Sequence, residues 1–362
     1  NVGFAEYFWA WRSLFGGLIS VMLPQLPNAK VYHTIATGYA GLIAARAKVE
    51  TGRPCLITEH GIYTNERRIE FFSSTWLNKQ EDFFISSQIQ QQENVRQLKE
   101  MWINAFTGYS RICYQACEEI ITLYPGNQPD QLRDGAAPEK LSIIGNGIDV
   151  ERFENLRTEP KITGTPTLAL IGRIVPIKDI KTFLYACAQL HERDVAFKAY
   201  IMGPTKEDQK YAVECTSLCT FLGLDDVVEF TGMVNIVDYL PEVDVQVLTS
   251  LSEVQPLVIL EAGAAGIPSV TTKVGHCEGM ILGDTEESKA LGPGGFVVPL
   301  GNPPAIADAL EALITDKSLY KQQSTSMRER VHKFFRKEQQ REEYTKVYTH
   351  WLKVANKDKG AA

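Results

Sequence analysis

The chain is short of positive charge. Its 37 Lys and Arg stand against 44 Asp and Glu, a net charge of −7. A protein that grips nucleic acid broadly along its phosphates needs the opposite excess, so that class is excluded. Long apolar runs are missing too. Residues 14–23, ten positions that include Gly16 and Gly17, form the longest one, whereas a spanning helix needs about 20. The run is not a signal-peptide core either: no small-residue cleavage site follows it, and Pro24 and Pro27 do. Paired CxxC motifs with nearby histidines, the mark of a structural zinc site, are absent. The 7 cysteines are spread thinly. Cys113 and Cys117 lie four apart, as do Cys215 and Cys219, which puts each pair on one helical face. They read as buried reduced thiols, which fits a cytoplasmic protein. No DxD-like carboxylate pair suited to Mg²⁺ is found, and no metal or other cofactor is expected.

What is present is ordinary globular material. With 362 residues, 44% hydrophobic and 22% charged, the chain suits two packed domains and excludes a disordered one. Short apolar runs rich in β-formers alternate with helical patterns. Strands are predicted at 29–34, 54–58, 82–86, 119–123 and 141–144, then at 167–171, 197–202, 227–231, 244–249, 268–272 and 295–298. Helices are predicted at 38–51, 88–107, 178–191, 206–222, 256–265 and 304–315. That alternation predicts βαβ units and parallel sheets in an α/β fold. Runs such as LALIG and VQVLTS are almost continuously apolar, as strands covered on both faces must be. The polar, turn-rich stretch 146–166 separates the two strand series. The tail 338–354 places Tyr344, Val347, Tyr348, Trp351 and Leu352 at helical spacing.

Three stretches carry the chemistry. In SLSEVQPLVILEAGAAGIP (250–268) a strand ends, a short loop follows, and Pro256 takes the first helical position, where its missing N–H costs nothing. The free N–H groups of such a helix start receive phosphate or sugar oxygens. Glu253 lies in the loop and Glu261 about one and a half turns into the helix. Carboxylates at a strand's carboxyl end suit paired hydroxyls, the place where open α/β sheets bind ligands. Two solvated acids at a helix start are the bland alternative.

In GRIVPIKDIKTF, Gly172 closes a strand, and Arg173 and Lys178 flank the loop into the next helix. Two fixed cations there suit a diphosphate and can do a divalent metal's work by stabilising it as a leaving group. In the first half, His33 and His60 each follow an apolar strand. His60, with Gly61 after it and Glu59 before it, is placed for a cleft. Asn146-Gly147-Ile148-Asp149 reads as a turn with Gly147 at positive φ.

Together SEVQPLVILEAGAAGIP, GRIVPIKD and NGIDVERF resemble the retaining family 4 glycosyltransferases of GT-B fold, over essentially the whole chain from about residue 29. YHTIATGYAGLIAARA and TEHGIYTNERRIE narrow the likeness to a branch that builds bacterial exopolysaccharide. The resemblance implies two Rossmann-like doubly wound domains: 1–148, the acceptor side, and 149–335, which holds a UDP-sugar. A helix at 336–362 would cross back to the first domain.

Arg173 and Lys178, with Gly172, would meet the diphosphate. Glu261 would take the ribose hydroxyls, and Glu253 the donor sugar, with the N–H groups of Val254, Gln255 and Leu257 nearby. His60 would face the donor sugar from the first domain. Glu253, His60, Arg173 and Lys178 would be the catalytic set. The loop 231–235 would frame the base. The donor is UDP-N-acetylgalactosamine or UDP-glucose, the acceptor a polysaccharide, and inner-membrane synthase proteins are the implied partners. The chain begins at Asn1 without the front strand and glycine-rich loop of the family pattern, so the first sheet is expected to be incomplete. Val254 stands where the pattern has a small residue, which narrows the space for the sugar. Two alternatives stay open: a non-catalytic nucleotide-binding partner of a polysaccharide synthase, and a nucleotide-sugar epimerase of similar fold.

Overall fold

The computed structural model describes residues 4–73, 85–156, 162 and 164–357. The chain divides into two compact units, 1–144 with 343–362, and 145–342.

In the first unit, helix α1 (Phe4–Met22) is followed by strand β1 (Tyr32–Thr34), α2 (Gly38–Thr51), β2 (Cys55–Glu59), α3 (Tyr63–Ser73), α4 (Ile85–Ala116), β3 (Glu119–Thr122), α5 (Gln128–Arg133) and β4 (Leu141–Ile143). The strands pair in parallel in the order β1-β2-β3-β4. Every residue of β2 is buried: the apolar Cys55, Leu56 and Ile57, and at its carboxyl end the polar Thr58 and Glu59. Helices α2 and α4 pack closely because Gly41 has no side chain: a Cβ there would come within 2.5 Å of the Cys113 sulfur. Trp102, Phe106 and Tyr109 on α4 close the core over Ile57 and Ile120.

Of the strand predicted at 82–86, residues 82–84 lie outside the described residues. Ile85 and Ser86 instead open α4, which is longer than the helix predicted at 88–107. His33 does not follow a strand but lies inside β1.

The second unit contains β5 (Thr167–Ile171), α6 (Ile180–Glu192), β6 (Lys198–Met202), α7 (Gln209–Phe221), β7 (Val228–Gly232), α8 (Ile236–Tyr239), β8 (Val245–Leu248), α9 (Leu257–Ala264), β9 (Ser269–Thr272), α10 (Cys277–Leu282), α11 (Glu286–Lys289), β10 (Gly295–Val298), α12 (Pro303–Thr315) and α13 (Lys317–Phe334). The closing helix is α14 (Lys337–Lys357), which groups with the first unit from residue 343. The second sheet is parallel, in the order β10-β9-β8-β5-β6-β7. The chain winds outward from β5 through β6 and β7, then returns to β8 on the other side of β5. The reversal lies between β5 and β8, and the loops that leave their carboxyl ends part there. In doubly wound sheets that crevice is the ligand position.

The two i, i+4 cysteine pairs are buried, and Cys117 Sγ lies 2.8 Å from Cys55 Sγ. Among the described residues no helix is long and apolar enough to cross a membrane.

Candidate donor site at the switch of the second sheet

The loop after β5 begins with a tight approach. The Gly172 N–H donates to the Met202 carbonyl at 2.9 Å, and a Cβ on Gly203 would lie 1.8 Å from the Gly172 oxygen. Ile174 is fully buried beneath the loop and anchors it. Asp179 turns the chain into α6 at φ 47°. Its carboxylate accepts from the Thr182 hydroxyl at 2.6 Å, while its main-chain carbonyl accepts the Thr182 N–H at 3.2 Å.

The loop after β8 is laced to this one. The Thr249 hydroxyl lies 3.0 Å from the carbonyls of both Lys178 and Asp179. The Leu251 N–H donates to Ile177 at 2.8 Å. At the centre the Lys178 ammonium forms an ion pair with Glu253. The Ser250 hydroxyl donates to the same carboxylate oxygen at 2.8 Å. The switch therefore presents a cation and an anion side by side, both mostly covered.

Arg173 and Glu261 are not drawn into that pair. The Arg173 guanidinium bonds Glu207, on the loop after β6, at 2.6 Å, with half of each side chain exposed. Glu261 is half-buried on α9. Burial raises its carboxyl above the ordinary range and Arg152 opposes the rise.

Pro256 precedes α9 as its cap residue instead of opening the helix, with ψ 120°. The first N–H groups of α9 still lack intrahelical partners. Leu257 is half-exposed at that end, and Gln255 is buried. Gly147 does not adopt positive φ. It is required for another reason: a Cβ there would lie 2.4 Å from the Arg336 carbonyl oxygen.

In the first unit His60 is exposed directly after β2. Glu59 is not a polar contact facing outward. It is buried, and it accepts from Thr37, Tyr114 and Gln131. The His33 ring bonds the Tyr348 hydroxyl at 2.6 Å and the Thr58 hydroxyl at 2.8 Å.

Sequence reasoning missed Ser250, Glu207, His276 and Asp284. Ser250 carried a usable signal, a hydroxyl directly after an apolar strand. The others are brought in by folding alone.

Comparison with known proteins follows the same division. Residues 165–316 match the family described as glycosyl transferases group 1. Residues 1–139 match a domain of unknown function, DUF3492. A D-inositol 3-phosphate glycosyltransferase of Kribbella flavida is 30% identical over 216 residues, covering 56% of this chain and 47% of that protein. An MMP alpha-(1->4)-mannosyltransferase of Mycolicibacterium hassiacum is 25% identical over 248 residues, covering 67% of this chain and 54% of that protein. The chain thus spans about half the length of the curated relatives it matches.

Among solved structures, Anabaena HepE in complex with UDP-glucose superposes with a TM-score of 0.66 at 18% identity, over 89% of this chain and 79% of that one. Sucrose-phosphate synthase from Thermosynechococcus elongatus superposes with a TM-score of 0.69 at 18% identity, over 97% and 78%. The fold is therefore GT-B, with two parallel α/β units. The match to glycosyl transferases group 1 lies wholly within the second unit.

Proposed function

We propose that this protein is a retaining glycosyltransferase that moves a sugar from a UDP-sugar to a growing bacterial exopolysaccharide without a metal ion. The observation that carries the reading is the Lys178–Glu253 pair at the switch point of the second sheet. The solved complexes of HepE with UDP-glucose and UDP support the donor class. The motifs TEHGIYTNERRIE and YHTIATGYAGLIAARA resemble PelF, the cytosolic glycosyltransferase of Pel exopolysaccharide synthesis, and support the acceptor class. They narrow the donor to UDP-N-acetylgalactosamine or UDP-glucose.

In this reading Lys178, joined by Arg173 once it leaves Glu207, meets the charge on the departing diphosphate. Gly172 lets the backbone approach it. Glu253 takes the sugar, Glu261 the ribose diol, and the N–H groups of Val254, Gln255 and Leu257 line the sugar and phosphate side. The bond from the anomeric carbon to UDP breaks, and the acceptor hydroxyl bonds that carbon on the same face. The hydroxyl proton passes to the leaving phosphate oxygen. No protein nucleophile takes part: a double displacement would need a second carboxylate about 5 Å across the anomeric centre.

Calorimetry with UDP, on the wild type and on Lys178→Ala, tests the site. Equal affinity removes the assignment. Release of UDP from a panel of labelled donors tests the reaction, and UDP binding without release from any donor favours a nucleotide-binding partner of a synthase.

A further inference from the structure

The loop that carries Glu253 is held by a hydrogen-bonded chain that reaches well beyond it. Gln255, 5% exposed, is its first member. The Gln255 side-chain oxygen accepts the Asn146 N–H at 2.5 Å, and its main-chain oxygen accepts from the Asn146 amide at 3.2 Å. The Gln255 amide nitrogen lies 3.1 Å from His276 Nδ1. The other ring nitrogen, Nε2, lies 2.8 Å from an Asp284 carboxylate oxygen. The His276 N–H also donates to the Val254 carbonyl at 2.7 Å.

The backbone is fitted to this arrangement. Gly275 has φ 50°, and a Cβ there would come 2.2 Å from the Glu253 carbonyl oxygen. A Cβ on Gly279 would lie 2.5 Å from His276 Nε2. The fully buried Arg330 holds the Ile281, Ser288 and Gly292 carbonyls, which flank Asp284 on both sides.

Counting donors gives the chain one direction. The Gln255 oxygen is committed to the Asn146 N–H, so its NH₂ group faces His276. Nδ1 must then accept, and the ring is the neutral Nε2–H tautomer, donating to Asp284. A protonated ring would set donor against donor.

We propose that Gln255, His276 and Asp284 are positioning residues that hold the Glu253–Gln255 loop in its donor-binding conformation before any donor arrives. The proposal rests on the donor-site reading for its function and on geometry alone for its mechanics. A satisfied polar network ties each member to one orientation, so its use here is to specify a single loop conformation.

The test uses the full chain and three readouts. Hydrogen exchange of peptides covering 250–258 reports the loop, calorimetry with UDP reports the site, and ring ¹⁵N NMR reports the tautomer. His276→Leu keeps bulk and removes the acceptor. His276→Asn returns an oxygen near the Nδ1 position. We expect His276→Leu to speed loop exchange and to weaken UDP binding, each by about tenfold, the scale of one lost buried hydrogen bond. His276→Asn should stay within about threefold of wild type on both.

Asp284→Ala covers the case in which His276→Leu does not fold, and should also speed loop exchange. Wild-type exchange rates in His276→Leu, or in Asp284→Ala where the leucine variant does not fold, overturn the proposal. Equal damage from His276→Asn does so as well, and so does a protonated Nδ1 in the wild type. If the wild type binds no UDP, the donor-site reading falls, while the exchange and NMR readouts still decide the positioning.

Discussion

Lys178 and Glu253 are 75 residues apart in sequence and form an ion pair across the loops that leave β5 and β8, with 19% and 13% of their side chains exposed. Because β5 and β8 are neighbours in the sheet, the pair marks the point where the winding reverses. In the proposed reading a diphosphate would compete with Glu253 for the ammonium, while Glu253 would keep the Ser250 hydroxyl.

Lys178→Ala therefore acts twice. Loss of a charge-assisted contact of about 1.5–3 kcal/mol weakens UDP by roughly 10- to 100-fold. It also leaves the covered Glu253 carboxylate with only a hydroxyl as partner, which costs about 1–3 kcal/mol of stability. Glu253→Gln keeps the Ser250 acceptor and is milder. A double-mutant cycle by urea denaturation should give a coupling above about 0.5 kcal/mol. Additive losses would remove the pair from the account.

Arg173 behaves differently. Its bond to Glu207 is half-exposed on both sides, so Arg173→Ala should change stability by less than about 0.5 kcal/mol. If the guanidinium turns to the diphosphate when UDP binds, Glu207→Gln frees it, and UDP affinity rises about two- to fivefold. Unchanged affinity in Glu207→Gln would argue that Arg173 stays outside the site.

His33 ties α14 into the first unit through Tyr348 and Thr58, and its ring lies near Tyr344. Burial lowers its pKa from the ordinary 6.5, against an opposing pull from Glu119. The unfolded chain therefore binds the proton more readily. Stability from these contacts is complete above about pH 6.5 and is lost as pH falls from there through the folded value. Hydrogen-exchange protection factors over 344–352, corrected for the intrinsic pH dependence of exchange, should fall on acidification across that range. His33→Phe keeps a ring against the tyrosines and should flatten the step; a step that persists in His33→Phe has another origin.

Much of the scaffold is legible because burial writes itself into the sequence. β5, 167–171, and β10, 295–298, have the ends that apolar runs and turn signals predict. α13 left no such trace. It buries Tyr320, Met327 and Val331 at helical spacing, but Gln323, Ser324, Ser326 and Arg330 are buried among them, so its apolar stripe is interrupted by polar side chains that find partners only after folding. The site divides in the same way. Lys178 and Glu253 are readable as charges at strand ends. Their pairing, the turn of Arg173 toward Glu207 and the approach of Gln255 to His276 depend on loops distant in sequence, and no local spacing encodes them.

Glu59 sits directly before His60 and is 1% exposed. Its carboxylate accepts from the Thr37 hydroxyl at 3.2 Å, the Tyr114 hydroxyl at 2.6 Å and the Gln131 amide at 2.9 Å. Burial raises its pKa above the ordinary 4.5; these three bonds oppose the rise, and the charge of Asp134 adds to it. The folded protein thus holds the proton more tightly than the unfolded chain, so stability contributed by this group falls as pH rises from about 4.5 through the folded value. Glu59→Gln cannot ionise. Its oxygen can keep Tyr114 and Gln131 while its NH₂ faces the Thr37 oxygen. Relative to wild type, Glu59→Gln should gain stability steadily as pH is raised from 4.5 toward neutrality, measured by urea denaturation at several pH values. Glu59→Leu instead leaves three buried donors unpaired and should cost about 3–5 kcal/mol near pH 4.5, a cost that shrinks with rising pH in parallel with the Glu59→Gln difference because leucine cannot ionise either. A constant difference between Glu59→Gln and wild type across that range would show that Glu59 titrates like an exposed carboxylate.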